Sequence, residues 1–262
     1  MKIVVCIKQV PASNDARIDP ETKRIVREGM KAILNPFDTY AIEEGVQLRG
    51  QFGGEVIALS MGPEKAAHSL REAISLGADR AILLSDRAFG GSDTWATSYA
   101  LAKAIEKIGD VDLVICGKQA VDGDTAQVGP GIAAHLDWPQ ATYVLKVEEA
   151  SREGIRVRRM NENGYDVCQM GYPAVLTVLK DINRPPVLTL KGALAALKVD
   201  IPVWKPQDID ADPAKIGLDP SPTRVVKTSP PPPRNTVTKV IQGAPADCAR
   251  ELVKDLRTRG IL

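Results

Sequence analysis

The sequence predicts an α/β fold, a Rossmann-like, doubly wound and mainly parallel sheet. Three observations support this fold class. Short apolar runs rich in β-branched residues recur along the chain, and segments with helical spacing of apolar residues lie between them. The first four runs are apolar almost throughout, as expected where helices cover both faces of a parallel sheet. Strands that alternate with helices imply right-handed crossovers and therefore such a sheet.

Five segments of the first part of the chain are predicted strands. Their flanking residues are polar or contain glycine and proline, which bounds each run. The segments are KIVVCI (2–7), EVIALSM (55–61), RAILL (80–84), VDLVIC (111–116) and TYVLKV (142–147).

Four helices are predicted between these strands. The first begins at Asn35, an N-cap residue that precedes a proline, and the second begins near Pro63. The third begins near Ser92. The fourth begins close to Thr125 or just after it, because Pro130 is tolerated only near a helix start.

The pattern changes after about residue 150. GIRVRRM and YDVCQM alternate, and PAVLTVL (173–179) is apolar, which predicts an antiparallel or mixed β addition to the sheet. The remainder is irregular and proline-rich, with an extended polyproline segment, SPPPPRN (229–235), and a last amphipathic helix over 245–259. The remainder is expected to wrap a partner or to dock back on its own domain. The predicted division is a sheet domain, residues 1–183, and an extended arm, residues 184–262.

Composition excludes several classes of function. The formal net charge is +1 and aromatic residues make up 4% of the chain, which argues against nucleic acid as a partner. No window reaches the roughly 18 apolar residues of a membrane span, and the apolar start has no small-residue cleavage site. The four cysteines lie far apart, which favours reduced side chains in the cytoplasm, and two histidines are too few for a histidine metal site.

The stretch VDGDTAQVGPG (121–131) predicts a ligand-binding loop. It follows the strand 111–116, at the carboxyl edge where doubly wound sheets bind ligands. Neither GxGxxG nor GxxxxGK[ST] follows the first strand, whereas glycines and helix-start amides here suit a phosphate. Asp122 and Asp124 repel a phosphate and are expected to face sugar or structure. The alternative is a turn in which Asp124 or Thr125 is the N-cap.

A second candidate is AFGGSDTWAT (88–97), which also follows a strand and places two glycines before a helix start. Thr94 and Thr97 are three residues apart and therefore share one face of the helix. Both candidates would lie at the carboxyl edge of the sheet. The alternative is an ordinary capped helix.

Several short stretches occur together in an order that identifies a family. They are CIKQVP, ILNPFD, ALSMGP, LGADRA, GKQAVDGDTAQVGP and HLDWPQ. In these stretches, with their spacing retained over essentially the whole chain, the sequence resembles the β subunit of electron transfer flavoprotein. VRRMNENGYDVCQMGYPAVLTV falls in the signature region of that family, although its acid-rich turn is only loosely kept. The resemblance implies a Rossmann-like domain and a C-terminal extension around an α subunit that carries the redox FAD.

The resemblance distinguishes two types of member. Simple members bind AMP structurally, whereas electron-bifurcating members bind a second FAD on β, which NADH reduces. DGDTAQVGP and FGG(S/A)DT-x-AT are features of the bifurcating type, and this chain has both. FAD is therefore the implied cofactor, with AMP as the alternative, and NADH is the implied substrate.

The implied electron acceptors are an acyl-CoA dehydrogenase-type flavoenzyme, reached through the α subunit, and ferredoxin or flavodoxin. No acid–base catalytic pair is evident, so the redox chemistry would belong to the flavin. A non-redox nucleotide-binding regulatory domain of similar fold is the alternative of another class.

The resemblance also assigns roles to individual residues. Cys6 would contact adenine through its backbone, Asn35 would hydrogen-bond the ribose or adenine, and Met61 would line the adenine pocket. Thr94 and Thr97 belong to the bifurcating pattern. The residues that would hold the diphosphate side are Asp122, Gly123, Thr125 and Gln127.

One further residue is assigned to partner recognition. RPPVLTLKGALAALK (184–198) corresponds to the dehydrogenase-recognition loop of the family, with Leu190 as the docking apolar residue. Without the resemblance, Leu190 would be a surface leucine in a loose segment.

Overall fold

The computed structural model describes residues 1–12, 32–226 and 238–262. The chain divides into two units, Met1–Val226 and Lys227–Leu262. The polyproline segment predicted over 229–235 lies outside the described residues.

Eleven strands form within the described residues. The five strands predicted in the first part of the chain are confirmed, with small differences at their ends. The strands are β1 (Lys2–Cys6), β2 (Gln9–Pro11), β3 (Ala32–Leu34), β4 (Glu55–Met61), β5 (Arg80–Leu84), β6 (Leu113–Gly117), β7 (Gln140–Ala150), β8 (Gly154–Asn161), β9 (Gly164–Gly171), β10 (Ala174–Val178) and β11 (Val203–Trp204).

The same residues contain six α-helices and four short 3₁₀ turns. The helices are α1 (Pro36–Phe52), α2 (Ala67–Ser75), α3 (Thr94–Ile108), α4 (Val128–Leu136), α5 (Leu190–Ala196) and α6 (Pro245–Thr258). The 3₁₀ turns are Glu64–Ala66, Arg87–Phe89, Pro206–Ile209 and Pro213–Lys215.

The main sheet has nine strands in the order β11-β5-β4-β1-β6-β10-β7-β8-β9. All pairs from β11 to β7 are parallel, and β8 and β9 are antiparallel. The fold class predicted from the sequence is therefore confirmed. The β addition is mixed, because the hairpin β8–β9 extends the edge while β10 lies between β6 and β7.

The order of the strands creates a switch point between β1 and β6. The chain runs from β1 outward to β4 and β5, and then returns to place β6 on the other side of β1. Crossovers on the two sides of β1 leave opposite faces, so a crevice opens beyond the carboxyl ends of β1 and β6.

Helices cover both faces of the parallel region, which explains the continuous apolar strands. Along β1, Ile3 and Val5 pack into the core beneath α1 and α2, whereas Val4 and Cys6 pack into the core beneath α3 and α4. Alternate residues of one strand point to opposite faces, so both sets must be apolar.

The larger unit extends beyond the boundary at residue 183. Arg71 donates hydrogen bonds to the carbonyl oxygens of Ala196 (2.8 Å) and Val199 (3.0 Å), which hold the segment after α5 to α2. β11 then pairs with β5 at the edge of the sheet. Residues 184–226 are therefore part of the compact unit, which reaches Val226.

The second unit contains the predicted C-terminal helix. α6 covers Pro245–Thr258, close to the predicted 245–259. Leu252 and Val253 are 49% and 41% exposed, and no residue of α6 is buried. None of the described helices is long and apolar enough to cross a membrane.

Candidate functional site

A cleft of about 920 Å³ lies at the switch point of the sheet. Its floor is formed by Cys6 and Cys116, at the carboxyl ends of β1 and β6, and Met61 at the end of β4 lines one side. Two segments complete the wall, residues 85–94 before α3 and residues 117–129 before α4. Both stretches that the sequence singled out therefore line the same cleft.

Asn35 holds the loop between β6 and α4. It is the N-cap residue of α1 by position, as predicted, but its side chain forms no capping bond. Its amide nitrogen donates to the carbonyl oxygen of Gln119 (3.0 Å), and its Oδ1 accepts from the backbone nitrogen of Val121 (3.2 Å). The buried side chain therefore joins α1 to the loop rather than closing its own helix.

The loop itself contains two left-handed residues. Asp124 and Ala126 have φ of 56° and 54°, which a helix does not tolerate, so α4 begins only at Val128. The N-cap position belongs to Gln127, so the alternative in which Asp124 or Thr125 caps the helix is wrong, whereas the start at Val128 agrees with a helix that begins just after Thr125. Since Gln127 forms no side-chain cap, the first amides of α4 are left for a ligand.

Glycine occupies the positions of this loop for different reasons. A Cβ on Gly129 would lie 2.5 Å from Cγ2 of Thr177, and one on Gly117 would lie 2.3 Å from Oδ1 of Asp38. Those two positions are glycine because helix, strand and loop pack closely there. A Cβ on Gly123 would meet nothing within 4 Å, and its φ is not left-handed. The protein alone therefore does not require glycine at position 123.

Some charged side chains of the cleft form an ion pair, and others do not. Lys8 forms an ion pair with Asp122, with Nζ to carboxylate oxygens of 2.8 and 2.9 Å. Arg87, Lys118 and Lys205 also line the cleft and form no ion pair with any described residue. An anionic ligand in the cleft would meet these three cations, but also the carboxylates of Glu64, Asp86 and Asp124, which line the cleft and form no ion pair with any described residue either.

Asp38 links the floor of the cleft to α1. Its Oδ2 accepts from the backbone nitrogen of Lys8 (2.7 Å), and its Oδ1 accepts from the side chain of Asn35 (2.8 Å). Burial raises the pKa of Asp38 to about 7, although Asn35, Lys8 and Gly117 donate hydrogen bonds that oppose the shift. Asp38 therefore changes its charge near neutral pH inside the cleft wall.

We expect Asp38 to make the stability of the protein depend on pH. Its pKa is 3.8 in the unfolded chain and about 7 in the folded chain, so the folded chain binds more protons between these values. The free energy of unfolding therefore falls as pH rises through this window, by at most about 1.4 kcal/mol per pH unit for one group, and levels off above it. Urea unfolding across the window measures the slope.

Asp38→Asn should flatten that slope. The amide also places a donor against backbone N–H groups, so the variant is expected to be less stable at every pH, and the slope is the diagnostic quantity. Exposed Glu162, in the turn between β8 and β9, offers a control: Glu162→Gln should leave the slope unchanged. An unchanged slope in Asp38→Asn would contradict the assignment.

The second loop is both a capped helix start and a wall of the cleft. Asp93 accepts hydrogen bonds from the backbone nitrogens of Trp95 (3.0 Å) and Ala96 (3.1 Å), so the expected capped helix is present. Thr94 Oγ1 donates to Gln127 Oε1 at 3.0 Å. This bond connects the two loops that the sequence identified, 88–97 and 117–130, across the cleft.

Eight of the nine predicted cofactor residues line this cleft. Asp122 is the exception, because its carboxylate turns to Lys8. The eight are Cys6, Asn35, Met61, Thr94, Thr97, Gly123, Thr125 and Gln127.

Sequence reasoning missed the buried carboxylate and the cations. Asp38 lies in the stretch ILNPFD, three residues after the N-cap, where an acidic residue is ordinary for a helix start. Only its position beneath the loop makes it part of the site. Arg87, Lys118 and Lys205 carry no local signal, because they reach the cleft from three different segments.

The cysteines at the floor are reduced neighbours. Cys6 and Cys116 are in register on adjacent parallel strands and both are buried. A hydrogen bond with Cys6 and burial raise the pKa of the Cys116 thiol, which keeps it protonated. Among the residues that the structure describes, no cluster of three or more metal-binding side chains occurs.

Leu190 lies outside the cleft, at the start of α5. The segment was expected to be a loop but forms a short helix. Thr189 is its N-cap, because its Oγ1 accepts a hydrogen bond from the backbone nitrogen of Gly192 at 3.0 Å. Leu190 is 76% exposed and Leu194, one turn later, is 53% exposed. They border an open groove of about 540 Å³.

Comparisons with known proteins agree with this architecture. Residues 22–209 match the electron transfer flavoprotein domain. The chain is 46% identical to the electron transfer flavoprotein subunit beta of Thermoanaerobacterium thermosaccharolyticum and 43% identical to the caffeyl-CoA reductase-Etf complex subunit CarD of Acetobacterium woodii, each over all of both chains. It is 46% identical to the protein FixA of Azorhizobium caulinodans over 94% of this chain and 92% of that one.

Proposed function

Because the chain belongs to the electron transfer flavoprotein family, as a β subunit, we propose that it is the FAD-binding subunit of an electron-bifurcating complex. Its partner in the heterodimer is an α subunit with its own FAD. A bound flavin would accept a hydride from NADH and divide the two electrons between the α-subunit FAD and ferredoxin or flavodoxin. The protein contributes position and electrostatics to that chemistry.

One observation carries the proposal: both flavoprotein stretches line one cleft and are joined by the Thr94–Gln127 hydrogen bond of 3.0 Å. The volume of about 920 Å³ is near the upper end of the usual range for ligand pockets, roughly 300–1,000 Å³. Such a cleft has room for a dinucleotide rather than only a mononucleotide. The uncapped start of α4 and the open backbone at Gly123 suit a diphosphate.

The remaining residues divide the cleft between the two halves of the cofactor. Cys6 and Met61, at the ends of β1 and β4, face the adenosine half. Thr125, Gln127 and the first amides of α4 bind the diphosphate. Asn35 acts mainly by fixing the loop that carries these groups, since both polar atoms of its side chain already bond the protein.

Thr94 and Thr97 stand on the first turn of α3 and line the cleft. Thr94 already donates its hydroxyl hydrogen to Gln127, so its oxygen stays available as an acceptor for a ligand. The stretch that carries both threonines belongs to the bifurcating type in the family resemblance, and this supports FAD rather than AMP as the ligand.

The cofactor content of the purified heterodimer tests the proposal. About two flavins per heterodimer and no AMP are expected, because β and α each bind one. One flavin with one AMP would instead identify a simple electron-transferring subunit. A colourless complex would favour a non-redox regulatory domain.

An acyl-CoA dehydrogenase-type flavoenzyme is the proposed acceptor beyond the α subunit. The name of the Acetobacterium woodii relative places that protein in a complex with a reductase of a CoA thioester, which supports the same class of partner here. The four unbridged cysteines favour the cytoplasm as the site of the complex.

Leu190→Ala should slow electron transfer to that dehydrogenase while both flavins stay bound. Leu190 and Leu194 form an exposed apolar pair on α5, and buried apolar anchors dominate the energy of transient interfaces. Stopped-flow kinetics with the physiological dehydrogenase measures the effect, and about a tenfold loss is expected from removing one anchor.

Met160→Ala is the matched control, since Met160 is 40% exposed on β8 and equally apolar. It should leave the transfer rate unchanged. Equal rates for Leu190→Ala and the wild type would remove Leu190 from the interface.

A further inference from the structure

The loop that precedes α3 holds a distant segment of the chain. Asp93 Oδ2 accepts hydrogen bonds from the backbone nitrogen of Thr223 (2.9 Å) and from its Oγ1 (2.7 Å). The backbone nitrogen of Asp93 donates to Ser221 Oγ (2.9 Å), and Ser92 Oγ accepts from the nitrogen of Gly217 (2.8 Å). We call these five residues the clasp.

Two glycines let the two chain segments of the clasp approach each other. Gly91 has φ of 79°, and a Cβ there would lie 2.9 Å from Cβ of Leu218. Gly217 has φ of 82°, and a Cβ there would lie 2.6 Å from the carbonyl oxygen of Ala88. Gly91 of the stretch AFGGSDTWAT therefore serves the clasp, because its left-handed φ and the Cβ of Leu218 both disfavour a side chain there.

The clasp is continuous with the wall of the cleft. The second carboxylate oxygen of Asp93 caps α3, whose first turn carries Thr94 and Thr97. Burial opposes ionisation of Asp93, but hydrogen bonds from Ala96, Thr223 and Trp95 lower its pKa, so the carboxylate stays charged. One charged group thus sets both the start of α3 and the position of Thr223.

The segment that the clasp holds lies directly before the second unit. Thr223 lies four residues before Lys227, where the second unit begins. The family resemblance implies that this C-terminal extension contacts the α subunit. Asp93 therefore connects the start of α3 directly to the residues that precede the second unit.

We propose that the clasp couples occupancy of the cleft to assembly with the α subunit, with Asp93 and Thr223 as positioning residues. The inference rests on the proposed function, that is, on FAD in the cleft and on the arm as an interface. The structure shows the first turn of α3 capped and the clasp formed; FAD bound against Thr94 and Thr97 would stabilise this arrangement and, through Thr223, the residues that precede the second unit. By linkage, the α subunit then tightens FAD binding by the same factor.

Thr223→Val tests the coupling, because valine keeps the size of threonine and removes the hydroxyl hydrogen bond to the Asp93 carboxylate, while the backbone hydrogen bond stays. The α subunit, purified with its own flavin, is titrated into the full-length chain without FAD and with saturating FAD. The wild type should bind the α subunit more tightly with FAD. The ratio of the affinities for the α subunit with and without FAD should be smaller in Thr223→Val, on the order of tenfold, since the lost hydrogen bond is one to a charged group.

Thr223→Ser is the matched control and should restore the tightening, since it keeps the hydroxyl. Without FAD, Thr223→Val and the wild type should bind the α subunit with equal affinity. A general loss of structure in the variant would lower this affinity. Hydrogen exchange of residues 217–226 gives a second measurement in the intact heterodimer. FAD should slow the exchange in the wild type and in Thr223→Ser but not in Thr223→Val.

The outcomes separate the inference from the function on which it rests. A wild-type chain that binds FAD and the α subunit, but independently of each other, overturns the clasp and leaves the function intact. Equal tightening in Thr223→Val and the wild type also overturns it. A chain that takes up no FAD contradicts the proposed function itself.

Discussion

Gly123→Asp is expected to give a heterodimer that retains the α-subunit flavin and loses the β-subunit flavin. A carboxylate placed about 4 Å from a phosphate repels it by about 4 kcal/mol at an effective dielectric constant of about 20. That energy corresponds to roughly a thousandfold loss of affinity. Ferredoxin reduction driven by NADH should disappear, and the flavin content and the reduction rate measure the two effects.

The structure makes this a clean test. A Cβ at position 123 meets nothing within 4 Å, and φ there is compatible with any residue, so the variant should fold. Gly50, on the exposed side of α1, is equally open, and Gly50→Asp should keep both flavins. Gly123→Ala separates charge from bulk, because its methyl group adds no charge. Two retained flavins and full activity in Gly123→Asp would contradict a diphosphate at this loop.

Removal of residues 227–262 should abolish co-purification of the two subunits. α6 exposes Leu252 and Val253 and has no buried residue, so its apolar side requires a partner surface. The larger unit, Met1–Val226, contains both core clusters and should remain folded. Affinity purification through a tag on the α subunit, followed by quantitation of β, measures assembly.

A chain cut after Thr258 is the control, because it keeps α6 whole. It should co-purify as the wild type does. Circular dichroism of the 1–226 fragment shows whether the loss of assembly comes from the missing arm or from unfolding. A folded fragment that still binds the α subunit would place the interface on the larger unit.

Several features of the site followed from local sequence alone. The apolar strands, the helix after Asn35 and the loops 88–97 and 117–130 were all predicted in place, because periodicity, proline and glycine act over a few residues. The resemblance of the stretches led to the family, which the matches to known β subunits confirm.

The mistakes have a common cause. The alternative interpretation placed the N-cap of α4 at Asp124 or Thr125, but left-handed backbone at Asp124 and Ala126 moves the N-cap to Gln127. The loop around Leu190 is a helix held by Arg71 of α2. In each case a distant contact or the geometry of a binding loop overrode the local preference.

The sequence by itself determined the longer strands and helices of the sheet and the two loops at the carboxyl edge, since these depend on neighbours along the chain, but it did not predict β2, β3, β11 or α5. Only the tertiary structure decided that Asp38 lies beneath the loop, that Asp122 turns to Lys8, and that Asp93 holds Thr223. Asp93 and Thr223 are 130 residues apart, and Lys8 and Asp122 are 114 apart. Such pairs form only when the parallel sheet brings the ends of separate strands together, because no local rule of spacing connects residues at that separation.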